Sequence, residues 1–230
     1  DTEHIAIGRE TLSWMCLSYK AIGIYPLVRI PSINPDMASE ALDGGAEGIV
    51  VPYVENVQQV KKMVGAVKLK PLKGKRLHNH LFEGEPIEPA LAGYLDNCNQ
   101  NKTLVVNIES VPAMEKLKEI VKVKGLDGIL IGPHDLSCSM GIPEDYNHPE
   151  FVKAVDYILE TGRKAGIGAG IHVTYSYGME QQIRWIKQGA NLIVHSADVL
   201  AMKNQLSADI ATLREASGDG VEKNANEMNI

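Results

Sequence analysis

The chain has 230 residues, with 29 acidic against 23 basic side chains, a formal charge of -6, and ordinary globular fractions of apolar (44%) and charged (23%) residues. No basic excess is available for a nucleic-acid partner, no run approaches the roughly 20 apolar residues that span a bilayer, and no signal sequence opens the chain. Cys16, Cys98 and Cys138 are odd in number and form no C-x-x-C, which points to a reducing, cytoplasmic setting.

The chain opens on Asp1-Thr2-Glu3-His4, where an Asp three residues ahead of a His can orient the imidazole as a general base. Residues 25–30 (YPLVRI) form the first apolar run, and Arg29 within it is costly unless paired. Asn34-Pro35-Asp36 offers a cap with proline at the first helical position, and Gly44-Gly45 stops that helix. A second strand is expected over 48–52 (GIVVP), with 66–69 (AVKL) as a possible further one. The only compact basic run, Lys68, Lys70, Lys73, Lys75 and Arg76, reads as a solvated loop without aromatics for base stacking. His78 and His80 share a polar loop in which no third zinc ligand is identifiable.

Further strands are expected over 104–109 (LVVNIE), 128–132 (GILIG), 167–173 (IGAGIHV) and 191–195 (NLIVH). Ser110 can cap a helix running to 123, and Asn147-His148-Pro149-Glu150 starts one that runs to 165. His172 and His195 end the last two strands and are expected near a pocket. The last helix, 197–216, leads through Gly218-Asp219-Gly220 into a polar, flexible tail over 217–230.

Six short, nearly continuous Val/Ile-rich runs are the pattern of parallel strands covered on both faces. Alternating β and α units leave a (β/α)8 barrel or a doubly wound sheet, and no G-x-G-x-x-G supports the latter. Polar groups at the strand ends (Arg29, Glu109, Asp135, His172, His195) favour the barrel, which places chemistry there. We therefore expect one (β/α)8 barrel domain over 1–216. Six strands instead of eight, and a start without methionine, lead us to expect that the first β/α unit and the second strand are lacking from this chain.

Glu109 and Asp135 are the strongest chemical pair. Two carboxylates brought together at neighbouring strand ends repel unless a cation or a shared proton neutralises them, and hard oxygen donors suit Mg2+ or Mn2+. His134 lies beside this pair. Phosphate is disfavoured, because Asp198 near the start of the last helix opposes an anion.

Together, D-x-E-H at the start, VRIP, GGAEGIVVPYV, IES and GLDGILIGPHDLSCSMG resemble the HpcH/HpaI family of metal-dependent (class II) pyruvate aldolases, over residues 1 to about 201. The resemblance implies a TIM barrel whose last helix is often exchanged between subunits, in homo-oligomers of dimers assembled into hexamers. It implies a retro-aldol cleavage of a 4-hydroxy-2-oxo acid to pyruvate and an aldehyde through a pyruvate enolate, with Mg2+, Mn2+ or Co2+ as cofactor. Glu109 and Asp135 match the metal ligands, Arg29 the residue that stabilises the enolate, and His4 the acid/base with Asp1 as its partner. The backbone of Gly132, Pro133, His134 and Asp135 matches the carboxylate-holding region, and Arg76 fits the arginine of a substrate loop. Asn107 stands where many members have glutamine, and His134 where the residue is usually small, so the aldehyde partner is the open question. Alternatives are oxaloacetate decarboxylation on the same metal, a Schiff-base aldolase using Lys68 or Lys70, and a non-catalytic oxo-acid-binding barrel.

Overall fold

The computed structural model describes residues 1–173 and 179–218. The chain runs α1 (Arg9–Ala21), β1 (Leu27–Arg29), α2 (Pro35–Asp43), β2 (Gly48–Val51), α3 (Val57–Lys68) and α4 (Gly74–His78). A π-helical turn (Asn79–Glu83) precedes α5 (Pro89–Asn99), β3 (Thr103–Ile108), α6 (Val111–Glu115), α7 (Leu117–Ile120) and β4 (Gly128–Ile131). Then come α8 (Pro133–Ser139), α9 (Pro149–Lys164), β5 (Gly168–Val173), α10 (Met179–Lys187), β6 (Leu192–His195) and α11 (Asp198–Ser217).

The six strands form one wholly parallel sheet whose order is the chain order, β1 through β6. Right-handed crossovers that always step the same way put every connecting helix on one side, and the sheet curls into a half-barrel. A doubly wound sheet would reverse its order at a switch point, and this one does not. Register then sorts the side chains. Val28, Ile30, Ile49, Val51, Leu104, Val106, Ile129 and Ile171 face outward into the core they share with the helices. Val50, Val105 and Leu130, with Leu192 and Val194, form a separate cluster on the inner face, where no helix contributes.

Local chemistry explains several helix starts. The Asn34 side chain accepts hydrogen bonds from the Asp36 and Met37 amides at the start of α2. Asn56 and Gln59 cap α3 reciprocally. Proline opens α9, with His148 rather than Asn147 as the cap residue, its Nδ1 accepting from the Glu150 amide at 3.2 Å.

Three expectations fail. Residues 66–68 belong to α3, because Val60, Met63, Val64 and Val67 bury one helical face. The 70–80 stretch is helical from Gly74, where Leu77 and Leu81 pack on Gly65 of α3. The helix capped by Ser110 breaks at Lys116 into α6 and α7. Of the expected polar tail, 219–230 lies outside the described residues. Among the described residues no helix is long and apolar enough to cross a membrane. On α11 no residue is buried, and Val199, Met202, Leu206, Ile210 and Leu213 are all exposed.

Candidate active site

Parity along the strands decides which polar side chains can meet. Arg29 on β1, Asn107 on β3 and His172 on β5 fall on the inner face, as does Glu109 just past β3. Continuing the register by one residue sets Glu109 level with Gly132 and His172 level with both. All lie at the carboxyl ends of the strands, where parallel barrels carry their chemistry.

Glu109 is 2% exposed and Asn107 1%. Burial raises the Glu109 carboxyl to about 7, and the charge of Asp135 pushes the same way, against hydrogen bonds from the Asn107 side chain and the Tyr53 amide. Even so, Glu109 Oε1 and Asn107 Oδ1 are buried without a hydrogen-bond partner. Gly132 makes the room: a Cβ there would stand 2.9 Å from Glu109 Oε2. Asp135 lies half-buried in the first turn of α8. Alongside, Ser110 Oγ donates to Glu55 at 2.7 Å, while also capping α6.

These donors fit a hard divalent cation. A buried carboxylate with an orphaned oxygen, a second acid whose charge reaches it, and a cradle kept clear by glycine are what Mg2+-type coordination uses. Among the described residues no third His, Cys, Asp or Glu joins them, which leaves positions for water and substrate oxygens.

Arg29 is paired with the acids at the start of the chain. Its Nε and Nη2 donate to the two carboxylate oxygens of Asp1 at 2.9 and 2.7 Å, and Nη1 lies 3.2 Å from Glu3 Oε2. Asp1 is therefore the clamp of Arg29 and not the partner of His4, because a bidentate pair with a guanidinium outcompetes a single bond to imidazole. The acid beside His4 is Glu3, 3.6 Å away, and the His4 ring is well exposed. The segment is pinned to β1 by the Thr2 amide and hydroxyl, both donating to the Arg29 carbonyl.

Arg76 is not brought to Glu109 and Asp135. Its guanidinium donates to Glu85 and Glu88, two acids on its own connection between β2 and β3. His134, next to Asp135 in sequence, is exposed, with Nδ1 3.4 Å from Glu144. His195 turns to the helix side, where its Nδ1 is 2.8 Å from Gln182 of α10, so only His172 of the two strand-end histidines faces inward. His80 Nδ1 contacts the Glu85 carbonyl at 2.8 Å, and His78 stands near Glu83. Lys68 pairs with Asp127, ahead of β4, and Lys70 with Asp43, at the end of α2. That is the amino-terminal side of the sheet, the wrong end for a Schiff base at the strand ends.

Two residues at the site carry little sequence signal. Tyr53 holds its amide on Glu109 through a left-handed backbone (φ 53°) that a tyrosine does not advertise. Glu55 is one acid among several in a loop until Ser110 meets it. A groove of about 650 Å³ also opens between α1, α2 and β1, lined by Val28 and Ile30 of the outer face, Leu12 of α1, and Arg9, Glu10 and Glu40, on the opposite side of the sheet from Glu109.

A family model described as HpcH/HpaI aldolase/citrate lyase matches residues 10–221. A protein named 2-keto-3-deoxy-L-rhamnonate aldolase from Klebsiella pneumoniae subsp. pneumoniae is 28% identical over 231 residues, covering 97% of this chain and 82% of that protein. One of the same name from Escherichia coli O1:K1 is 28% identical over 214 residues, covering 93% and 79%. Among solved structures, the citrate synthase SbnG superposes with a TM-score of 0.79 at 29% identity, covering 96% of this chain and 84% of its own. An HpcH/HpaI aldolase from Desulfitobacterium hafniense DCB-2 gives 0.77 at 26% identity, covering 93% and 81%.

Proposed function

The chain belongs to the HpcH/HpaI aldolase/citrate lyase family, a family of carbon–carbon lyases, and from that premise we propose a divalent-metal-dependent aldolase that cleaves a 4-hydroxy-2-oxo acid reversibly into pyruvate and an aldehyde. The observation that carries this reading is Glu109: a buried carboxyl raised by its surroundings to about 7, with one oxygen unpartnered and the Asp135 charge acting on it. Glu109 and Asp135 would hold Mg2+, Mn2+ or Co2+. Such an ion, when bound, supplies Lewis-acid polarisation of the 2-oxo group.

The chain's own groups divide the remaining work. The backbone of Gly132, Pro133, His134 and Asp135 receives the substrate carboxylate, and Asn107 lines the floor beneath it. His4, exposed at the rim, takes the proton from the C4 hydroxyl, directly or through water. The C3–C4 bond breaks, the aldehyde leaves, and the electron pair settles on the pyruvate fragment as an enolate. Arg29 donates to the enolate oxygen from N–H groups left over after Asp1 and Glu3 have fixed its plane. His4 returns the proton it took, directly or through water, to C3 of the enolate, which gives pyruvate and restores the neutral imidazole. Losing one such oxyanion donor costs on the order of a hundredfold or more in rate.

We also place the sheet as the larger part of a (β/α)8 barrel, whose closure takes two further strands between β6 and β1. The working form is a homo-oligomer in which another copy covers the apolar stripe of α11.

The test needs no knowledge of the aldehyde. With Mg2+, Mn2+ or Co2+ in deuterated water, the protein should exchange the methyl protons of pyruvate, read by NMR. Glu109→Gln or EDTA should abolish the exchange; undiminished exchange in either would overturn the reading.

A further inference from the structure

The inner face has two halves of different character. On the β1–β3 side it carries Arg29, Asn107 and Glu109. On β5 and β6 its residues are Gly168, Gly170, His172, Leu192 and Val194, so His172 is the one polar side chain in that half among the described residues. It is half-buried, sits level with Gly132 and Glu109 in the register, and has Val194 as its pair on β6. Gly132 leaves the space between the Glu109 carboxylate and β5 without a side chain.

His172 also lies close enough to Arg29 and His4 to feel both. Burial holds its imidazole below the usual range, and the Arg29 guanidinium and the neighbouring His4 act in the same direction. The ring is therefore neutral at pH 7, one nitrogen donating and the other accepting. Among the described residues no group hydrogen-bonds to it. A half-buried imidazole beside Val194 gains from a ligand that completes its hydrogen bonding, and loses when an apolar group takes that place.

We propose that His172 is a specificity-determining residue, selecting aldehyde partners that carry a hydroxyl and disfavouring their alkyl counterparts. This rests on the aldolase reading above and adds to it the chemical class of the second substrate. A substrate whose oxo-acid end is held from β1, β3 and β4 extends its far end toward β5. The atoms beyond C4 then pass His4 and meet His172. A site built around a hydroxyl rejects the analogue without one far more strongly than an apolar slot separates the two, because the imidazole would be left unpaired.

The test compares glycolaldehyde with propanal, near-isosteres that differ in one hydroxyl, as acceptors for pyruvate in the condensation direction. In the wild type glycolaldehyde should be preferred. His172→Leu should lower the ratio of the two kcat/KM values by about ten- to a hundredfold. His172→Gln, which keeps a donor and an acceptor, should restore most of it. Pyruvate methyl exchange without aldehyde should stay within about twofold of wild type in both variants, which also shows that they fold. An unchanged ratio with exchange intact overturns the role of His172 and leaves the aldolase reading standing. Loss of exchange in the His172 variants overturns it too, by assigning the residue to the enolate half. Absence of exchange in the wild type itself sinks the aldolase reading and this inference with it.

Discussion

Glu109 holds a proton where an ordinary glutamate would not. Its carboxyl is raised from 4.5 to about 7, chiefly by burial. The sign follows from linkage: a carboxyl raised in the fold contributes stability below its unfolded value, and that contribution is lost as the pH rises through about 7. A divalent cation reverses the balance, because it needs the charged form and displaces the proton. Apparent Mn2+ affinity should therefore rise about tenfold per pH unit below 7 and level off above it. Ion titrations across pH 5.5–8.5 would check this, and a flat profile would mean that Glu109 does not bind the ion. Arg29 shows the complementary device, since Asp1 and Glu3, both from outside the sheet, fix the direction of its fork.

At the scale of elements, the inner face depends on what β5 omits. A Cβ at Gly170 would land on the Leu192 carbonyl oxygen, in the backbone of the neighbouring strand. No rotamer relieves such a clash, so Gly170→Ala should destabilise the fold by at least about 3 kcal/mol. It should also part β5 from β6, seen as a lower urea midpoint and faster amide exchange in Leu192–His195. The strands themselves were readable because each is a short, nearly continuous apolar run, and several carry a polar residue at or just past the end. The same logic brought out Glu109, Asp135 and Arg29, since an ionisable group at the end of a buried strand is conspicuous. What escaped depends on contacts distant in sequence. The basic, glycine-containing stretch around Lys73–Arg76 resembles a loop until Leu77 and Leu81 find α3. Asp1 reads as a partner for His4 until β1 brings Arg29 to it, 28 residues along the chain. His172 and His195 look equivalent in sequence, and only the parity of their strands separates them.

At the scale of the molecule, α11 is the element least explained by its own chain. A 20-residue helix with no buried residue is marginal in water, yet Val199, Met202, Leu206, Ile210 and Leu213 recur at spacings of three and four along one stripe. If another copy covers that stripe, the wild type should sediment as a dimer or larger. Leu206→Asp with Ile210→Asp should then give a monomer whose helical circular dichroism is lower. The sheet has a further property. Because spatial order and chain order coincide, each strand leaving the ribosome meets its neighbour already in place, and the nascent fold can grow strand by strand with no long wait for a distant partner. Growth of that kind leaves its trace in the finished protein as a gradient of local opening. Amide hydrogens should exchange most slowly in Thr103–Ile108 and Gly128–Ile131, which have partners on both sides, and fastest among the strands in Leu27–Arg29 and Leu192–His195.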